Sequence, residues 1–278
     1  MAGSGLTRSD WLARAPELAA ELAARWKLRL GEPYALGAVG YVVRVERRDG
    51  TPLVLKLIWP HRESEHEADA LELWSGDGAI RLLDRDDEAS ALLLERCEPG
   101  TFLAVAGAKV ALDVFVELLP RLWTPAAAPF RPLAEEAAWW LESVPAAWEA
   151  DGRPYERELL DAAMDALREL PATQGEQVLL HQDLHAENVL AAQREPWLAI
   201  DPKPLVGERE FGLAPIVRSF ELGAAHDDVV HRLDFLSSRL GLDRERARRW
   251  ALAQTIAWSE GSYRPQHLDT ARWLLEAE

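Results

Sequence analysis

Apolar residues recur three and four positions apart through SDWLARAPELAAELAARWKLRL, residues 9–30, the spacing of an amphipathic helix. Ser9 or Asp10 supplies its cap, Pro16 interrupts the pattern so that the first part forms a separate turn, and Gly31-Glu32-Pro33 stops it. The period then drops to two. Tyr41 to Glu46 alternates and is rich in valine, Asp49-Gly50 marks a hairpin turn, and Leu53 to Trp59 reads as a second, buried strand. A helix from Glu63 to Trp74 follows, then strands from Ile80 to Asp84 and from Ala91 to Arg96, separated by the polar run Arg85 to Ser90. The order helix, strand, strand, helix, strand, strand predicts a small α+β lobe on an antiparallel sheet. Glu98-Pro99-Gly100 breaks the chain after it and serves as a hinge.

Beyond that break the helical period dominates. Helices are expected over Leu103 to Leu118, Leu133 to Trp148 and Tyr155 to Leu170, the last closed by Pro171, with a loop from Thr124 to Pro132. Val178-Leu179-Leu180, Val189-Leu190 and Trp197 to Ile200 are short β-like stretches. Helices resume from Leu213 and include Arg244 to Trp258 and Leu268 to Glu276. The expected organisation is two lobes, residues 1–97 and 98–278.

Composition changes this picture by exclusion. Cys97 is the only cysteine, which rules out a disulfide framework and a cysteine-based zinc site. Lys and Arg total 31 against 47 Asp and Glu, a formal charge of −16, so a nucleic-acid partner is not expected. The acidic balance suits a cationic small molecule, or serves solubility alone. No apolar run approaches the roughly 20 residues that span a bilayer, and Met1 to Asp10 lacks the apolar core of a signal peptide. The expectation is a cytoplasmic protein with no membrane partner. Of twelve tryptophans, Trp11, Trp26 and Trp74 sit at helical spacing beside Leu and Ala and read as core. One or two others near a pocket could stack on a sugar or a guanidinium.

The chemistry concentrates in His181-Gln-Asp183-Leu-His185-Ala-Glu187-Asn188, followed thirteen residues after Asn188 by Asp201-Pro202-Lys203. Phosphoryl transfer needs a carboxylate that orients the attacking hydroxyl and takes its proton, a divalent metal on hard oxygen ligands, and a cation against the phosphates. A short apolar strand ending in a tight loop presents Asp183 and Asn188, and a second strand ends at Asp201. Lys56 lies inside the apolar strand Leu53-Val-Leu-Lys-Leu-Ile58, where a charge needs a partner, and Glu67 on the next helix is the obvious one. Cys97 has no histidine partner indicated and reads as a small buried side chain. His181 reads as a structural residue of the loop. His185 either touches substrate or covers the loop. Trp258 and Glu260 fit contact with a cationic acceptor, or a core tryptophan at a helix end. Glu208, Glu210, Glu221, Asp227 and Asp228 either make the acceptor side acidic or are solvated surface. The run Arg244 to Arg249 reads as an exposed helix face.

These motifs are those of the protein kinase-like fold, and the chain resembles the aminoglycoside phosphotransferases, most closely the streptomycin 6-phosphotransferase and hydroxyurea phosphotransferase family. The likeness rests on LVLKLIWP at 53–60, HEADALELWSGDGAIRLLDRD at 66–86, ALLLERCEPGTFL at 91–103, LLHQDLHAENVL at 179–190, AIDPKPLVGEREF at 199–211 and Trp-Ser-Glu at 258–260. It implies an ATP- and Mg²⁺-dependent kinase of two lobes that phosphorylates a hydroxyl of a small molecule. The acceptor is expected to be a streptomycin-type aminocyclitol, with hydroxyurea, an amino sugar or a metabolite as the alternative. By resemblance Asp183 is the base, Asn188 and Asp201 hold magnesium, Lys56 contacts phosphates, Glu67 pairs with it, and the backbone of Glu95 to Cys97 holds the adenine edge. The sequence departs from the kinase pattern at Pro202, which removes a donor and stiffens the turn, and at Lys203, which either reaches the γ-phosphate or neutralises carboxylates. The nucleotide loop is only Gly37-Ala-Val-Gly40, equally readable as a turn. An inactive binding module of the same fold is the rival from another class, and the intact Lys56, Asp183, Asn188 and Asp201 set argues against it. A protein kinase is disfavoured by the lack of an APE-type segment and of a phosphorylatable activation loop.

Overall fold

Alternation along Gly40–Glu46 and Pro52–Ile58 turns Val43, Val45, Leu53, Leu55 and Leu57 to one face, where all are buried. In the computed structural model these two strands, β2 and β3, lie at the centre of a five-stranded antiparallel sheet of order β1-β2-β3-β5-β4. The edge strands are β1 (Arg29–Pro33) and β4 (Leu82–Asp86), and β5 (Ala91–Glu95) lies between β3 and β4. Residues 7–34, 40–259, 261 and 264–277 are described here. Helix α1 (Arg8–Arg25) covers the buried face with Ala15, Ala19 and Leu22, and its Thr7 cap and Asp10 form a reciprocal capping box. Pro16 does not break it, and the helix stops at Arg25 rather than at residue 30. The predicted tail of that helix is instead β1, a strand with every position exposed and so without the alternation that marks one.

Helix α2 (Glu67–Trp74) begins later than its sequence pattern indicates, because a separate 3₁₀ turn occupies Arg62–Ser64 and His66 takes a left-handed φ of 67°. The chain divides into two units. The first runs through Gly100 and regains Ala191–Ile200, and the second comprises Thr101–Leu190 and the chain from Asp201 onward. Within the returning segment Arg194 bonds Glu95 at 2.9 and 3.0 Å, Gly76 O at 2.8 Å and Ala79 O at 3.0 Å. Ala199 N donates to Gly78 O at 2.9 Å, and Ile80 N to Ala199 O at 3.0 Å.

The second unit is mainly helical: α3 (Ala108–Leu122), α4 (Leu133–Ala150), α5 (Arg157–Glu169), α6 (Ala214–Val217), α7 (His226–Leu240), α8 (Arg244–Ala257) and α9 (Arg264–Glu276). The predicted helix from Leu103 splits into a short turn, Leu103–Ala106, and α3, at a Gly107 with φ of 84°. Strands β6 (Arg131–Pro132) and β7 (Gln177–Leu180) precede β8 (Val189–Ala191) and β9 (Trp197–Ala199), and β10 (Leu205–Glu208) joins the first two in the order β6-β10-β7. Strand β10 carries no predicted counterpart, since it is four residues long and follows prolines at 202 and 204. The core stacks Phe211 against Trp250, ring centroids 5.3 Å apart, and against Trp140 at 6.1 Å.

Two surface expectations are corrected. Glu208 is 1% exposed and bonds Trp250 Nε1, Arg246 Nε at 2.6 Å and Gly175 N at 3.2 Å, so it is a core anchor and not part of an acidic surface. The arginine run of α8 is not simply an exposed face, because Arg248 is buried and donates to Leu274 O. Buried polar groups need partners, and here the helix arginines supply them.

Candidate functional site

In the first unit, parity along β3 places Lys56 opposite the Leu55 and Leu57 face, on the side from which α2 delivers Glu67. Lys56 Nζ bonds both carboxylate oxygens of Glu67, at 2.7 and 2.8 Å, and both residues are buried. Gly40 is the first residue of β2 rather than a turn. A Cβ there would sit 2.9 Å from Leu57 O and 3.9 Å from Lys56 Cε, so glycine lets the strands close beside the lysine. Gly37 lies outside the described residues. Glu95 ends β5 with its amide donated to Arg81 O at 3.0 Å and its carboxylate taken by Arg194. That amide is therefore spent, and any hinge donor to a base edge falls to Arg96 and Cys97. Cys97 is buried, and burial with the nearby Glu95 charge pushes its thiol up to about 12, in line with an inert side chain.

In the second unit, β7 ends at Leu180 and runs into the loop that carries Asp183 and Asn188. Leu205 of β10 pairs with Leu180, so the residues just before β10 lie beside those just after β7. Lys203 N accordingly donates to His181 O at 3.0 Å, and the Lys203 ammonium lies 3.0 Å from Asp183 Oδ2. Register, rather than sequence proximity, brings this lysine to the loop. His181 is buried, and its carbonyl also accepts from Asp183 N at 2.8 Å. The loop bends at Gln182, whose φ of 62° is left-handed and whose carbonyl is held by Gln254 Nε2 of α8 at 3.0 Å. Asp201 takes a similar φ of 59°. Such values are uncommon for residues with a side chain and concentrate where function fixes the backbone.

Asp183 is buried at 9% exposure and its carboxylate meets two cations. Lys203 faces Oδ2, and Arg218 Nη2 reaches Oδ1 at 3.2 Å. Burial alone would raise the carboxyl, but the charges of Lys203, His185 and Arg218 outweigh it and hold the group below the usual carboxylate range. Both cations also lie over the Trp258 ring, Arg218 Cζ at 4.2 Å and Lys203 Nζ at 4.7 Å from its centroid. Trp258 thus seats the protein's own cations, a use the sequence does not announce. Glu260 lies outside the described residues.

Asn188 Nδ2 donates to Asp183 O at 2.8 Å, which commits the amide nitrogen and leaves the amide oxygen as the acceptor atom. Asn188 and Asp201 both carry side-chain oxygens of the hard type that Mg²⁺ takes. Among the described residues no three His, Cys, Asp or Glu gather to hold a metal by themselves.

Two residues escaped the sequence reading. Arg218 has no motif and lies 35 residues from Asp183 in sequence. Glu221, read there as either acidic surface or acceptor side, is instead tied to the loop. Its Oε1 accepts from His185 Nδ1 at 3.0 Å and Ala186 N at 3.1 Å, and also from Ser219 Oγ. Burial opposes its charge, yet the bond and charge of His185 together with the Ser219 hydroxyl outweigh it and depress it to about 2. His185, lowered by burial and raised by Glu221 and Asp183 together, ends above its ordinary value. It braces the loop, as one of its two readings had it.

The family described as aminoglycoside/hydroxyurea antibiotic resistance kinase matches residues 25–261. A streptomycin 6-kinase of Streptomyces griseus is 42% identical over 253 residues, 88% of this chain and 82% of that protein. A hydroxyurea phosphotransferase of Kitasatospora aureofaciens is 43% identical over 261 residues, 91% of this chain and 74% of that one. Solved structures share the fold. A choline kinase from Streptococcus pneumoniae has a TM-score of 0.68 at 16% identity, covering 94% of this chain and 99% of its own. A thermostable mutant of the aminoglycoside phosphotransferase APH(4)-Ia, solved with ADP and hygromycin B, has a TM-score of 0.62 at 13% identity, covering 93% and 95%. The expected protein kinase-like fold is therefore the observed one, and the chain belongs to the aminoglycoside/hydroxyurea antibiotic resistance kinases.

Proposed function

We propose that this kinase moves the γ-phosphoryl group of ATP onto a hydroxyl of a streptomycin-type aminocyclitol, inactivating it. The observation that carries the reading is the Asp183 carboxylate, buried on a strand-end loop and kept charged by flanking cations. Asp183 orients the acceptor hydroxyl and takes its proton as the oxygen–phosphorus bond forms and the bond to the departing ADP breaks. Lys56, fixed by Glu67, contacts the phosphates, and the backbone at Arg96 and Cys97 meets the adenine edge. Asn188 and Asp201 hold Mg²⁺, which neutralises triphosphate charge when bound. Lys203 keeps Asp183 ionised and offers a cation beside the reacting oxygens. The net charge of −16 favours a cationic acceptor, and the absence among the described residues of any helix able to cross a membrane agrees with a cytoplasmic site of action.

The comparable identity to a hydroxyurea phosphotransferase favours hydroxyurea as a second acceptor. A panel of streptomycin, other aminoglycosides, amino sugars and hydroxyurea, incubated with Mg·ATP and read by ADP release and product mass, separates the two. The expected result is phosphorylated streptomycin. Turnover confined to hydroxyurea would replace the acceptor, and no Mg²⁺-dependent turnover on any of them would defeat the reading. Asp183→Asn is expected to keep nucleotide binding and lose transfer by about a thousandfold.

A further inference from the structure

Arg232, in the middle of α7, is 1% exposed, and among the described residues no carboxylate stands within ion-pair distance of it. Burial lowers its guanidinium to about 10, against the weaker pull of Asp228 and Glu221. A cation so placed needs other compensation. It finds it in backbone carbonyls alone. Nε and Nη2 donate to Val217 O at 3.1 and 2.9 Å, and Nη1 donates to Leu222 O at 3.2 Å and Gly223 O at 2.9 Å.

Those carbonyls lie on either side of one short segment. Val217 is the last residue of α6, and Leu222 and Gly223 close the turn that follows. Between them stand Arg218, which meets Asp183 Oδ1, and Glu221, which accepts from His185, from the Ala186 amide and from its neighbour Ser219. One planar fork thus grips both ends of the segment whose side chains reach the base and its loop. The grip suits a guanidinium and not an ammonium, because it needs several donors in fixed directions. Gly223, with φ of 112° and Asp228 packed where a Cβ would be, lets the chain turn back into α7.

We propose that Arg232 is a positioning residue for phosphoryl transfer: it staples residues 217–223 into a rigid brace through which Arg218 and Glu221 set the place of the Asp183 carboxylate and its loop. The proposal rests on Asp183 being the base. It assigns a mechanistic part to a side chain that touches neither substrate nor loop. A displacement of the carboxylate acts on the reacting geometry more than on substrate affinity.

The test compares Arg232→Met, Arg232→Lys, Arg218→Gln and the Arg232→Met/Arg218→Gln double variant in steady-state transfer, with amide hydrogen exchange at Ala186 and a thermal melt of each. Arg232→Met should lower kcat about tenfold or more with KM for ATP and acceptor within about twofold. It should also speed exchange of the Ala186 amide. Arg232→Lys should recover part of kcat. The double variant should lose less than the product of the two single losses, because both act on the place of one carboxylate. Losses that multiply, or a wild-type kcat in a variant whose Ala186 amide has loosened, overturn the proposal. If Arg232→Met does not fold, Arg232→Lys carries the same readouts, and wild-type kcat with wild-type exchange there overturns it equally. Asp183→Asn separates the premises: lost transfer with an indifferent Arg232 overturns the brace alone, whereas retained transfer removes the base and the brace with it.

Discussion

Glu221 illustrates how much a single carboxylate can hold when it is half-hidden beside a histidine. Its ordinary value of 4.5 is brought down to about 2 by His185 and Ser219, against the cost of burial. A depressed carboxyl favours the fold fully above about 4.5 and ceases to do so as pH falls through about 2. At ~1.4 kcal/mol per unit the contribution is of the order of 3 kcal/mol. Glu221→Gln keeps the shape and an acceptor, so the wild type should exceed it in denaturant stability at about pH 6 and lose that advantage at about pH 2. A gap unchanged across the range would mean that the pair carries no linkage. The sequence offered no access to this. HxDxxxxN is legible because its members share eight consecutive residues. Arg218 and Glu221 reach the same loop from tens of residues away and belong to no local pattern.

At the scale of elements, the alternation that identifies β2 and β3 also dictates which face Lys56 takes, and so the Lys56–Glu67 pair was readable before any coordinates. Strand β1 was not, because its five exposed positions have no apolar face to report, and it continued the apparent end of α1. The close approach at Gly40 is likewise invisible in the alternation. Gly40→Ala would put a methyl group 2.9 Å from Leu57 O, and β2 and β3 would have to part beside the lysine. The expected cost is about 1–3 kcal/mol in a urea titration, with weakened nucleotide binding in calorimetry. An unchanged midpoint would mean that the strands absorb the methyl group freely.

For the molecule as a whole, the sequence indicates a division near residue 97, and the observed first unit ends at Gly100 but takes back Ala191–Ile200. Periodicity reports which stretches are strands, not which unit they serve, so this return was beyond it. Arg194 is its principal fastening. Arg194→Met strips donors from Gly76 O, Ala79 O and Glu95, at an expected cost of about 2–4 kcal/mol. Hydrogen exchange should quicken at Ile80 and Ala199 and stay unchanged in α3; uniform quickening or none would contradict a local latch. The same return has a consequence for synthesis. As the chain leaves the ribosome, the first hundred residues emerge without the guanidinium that satisfies their carbonyls. They must wait for roughly as many codons again before the piece that completes them arrives, so the amino-terminal third of a nascent chain is unfinished for much of its translation.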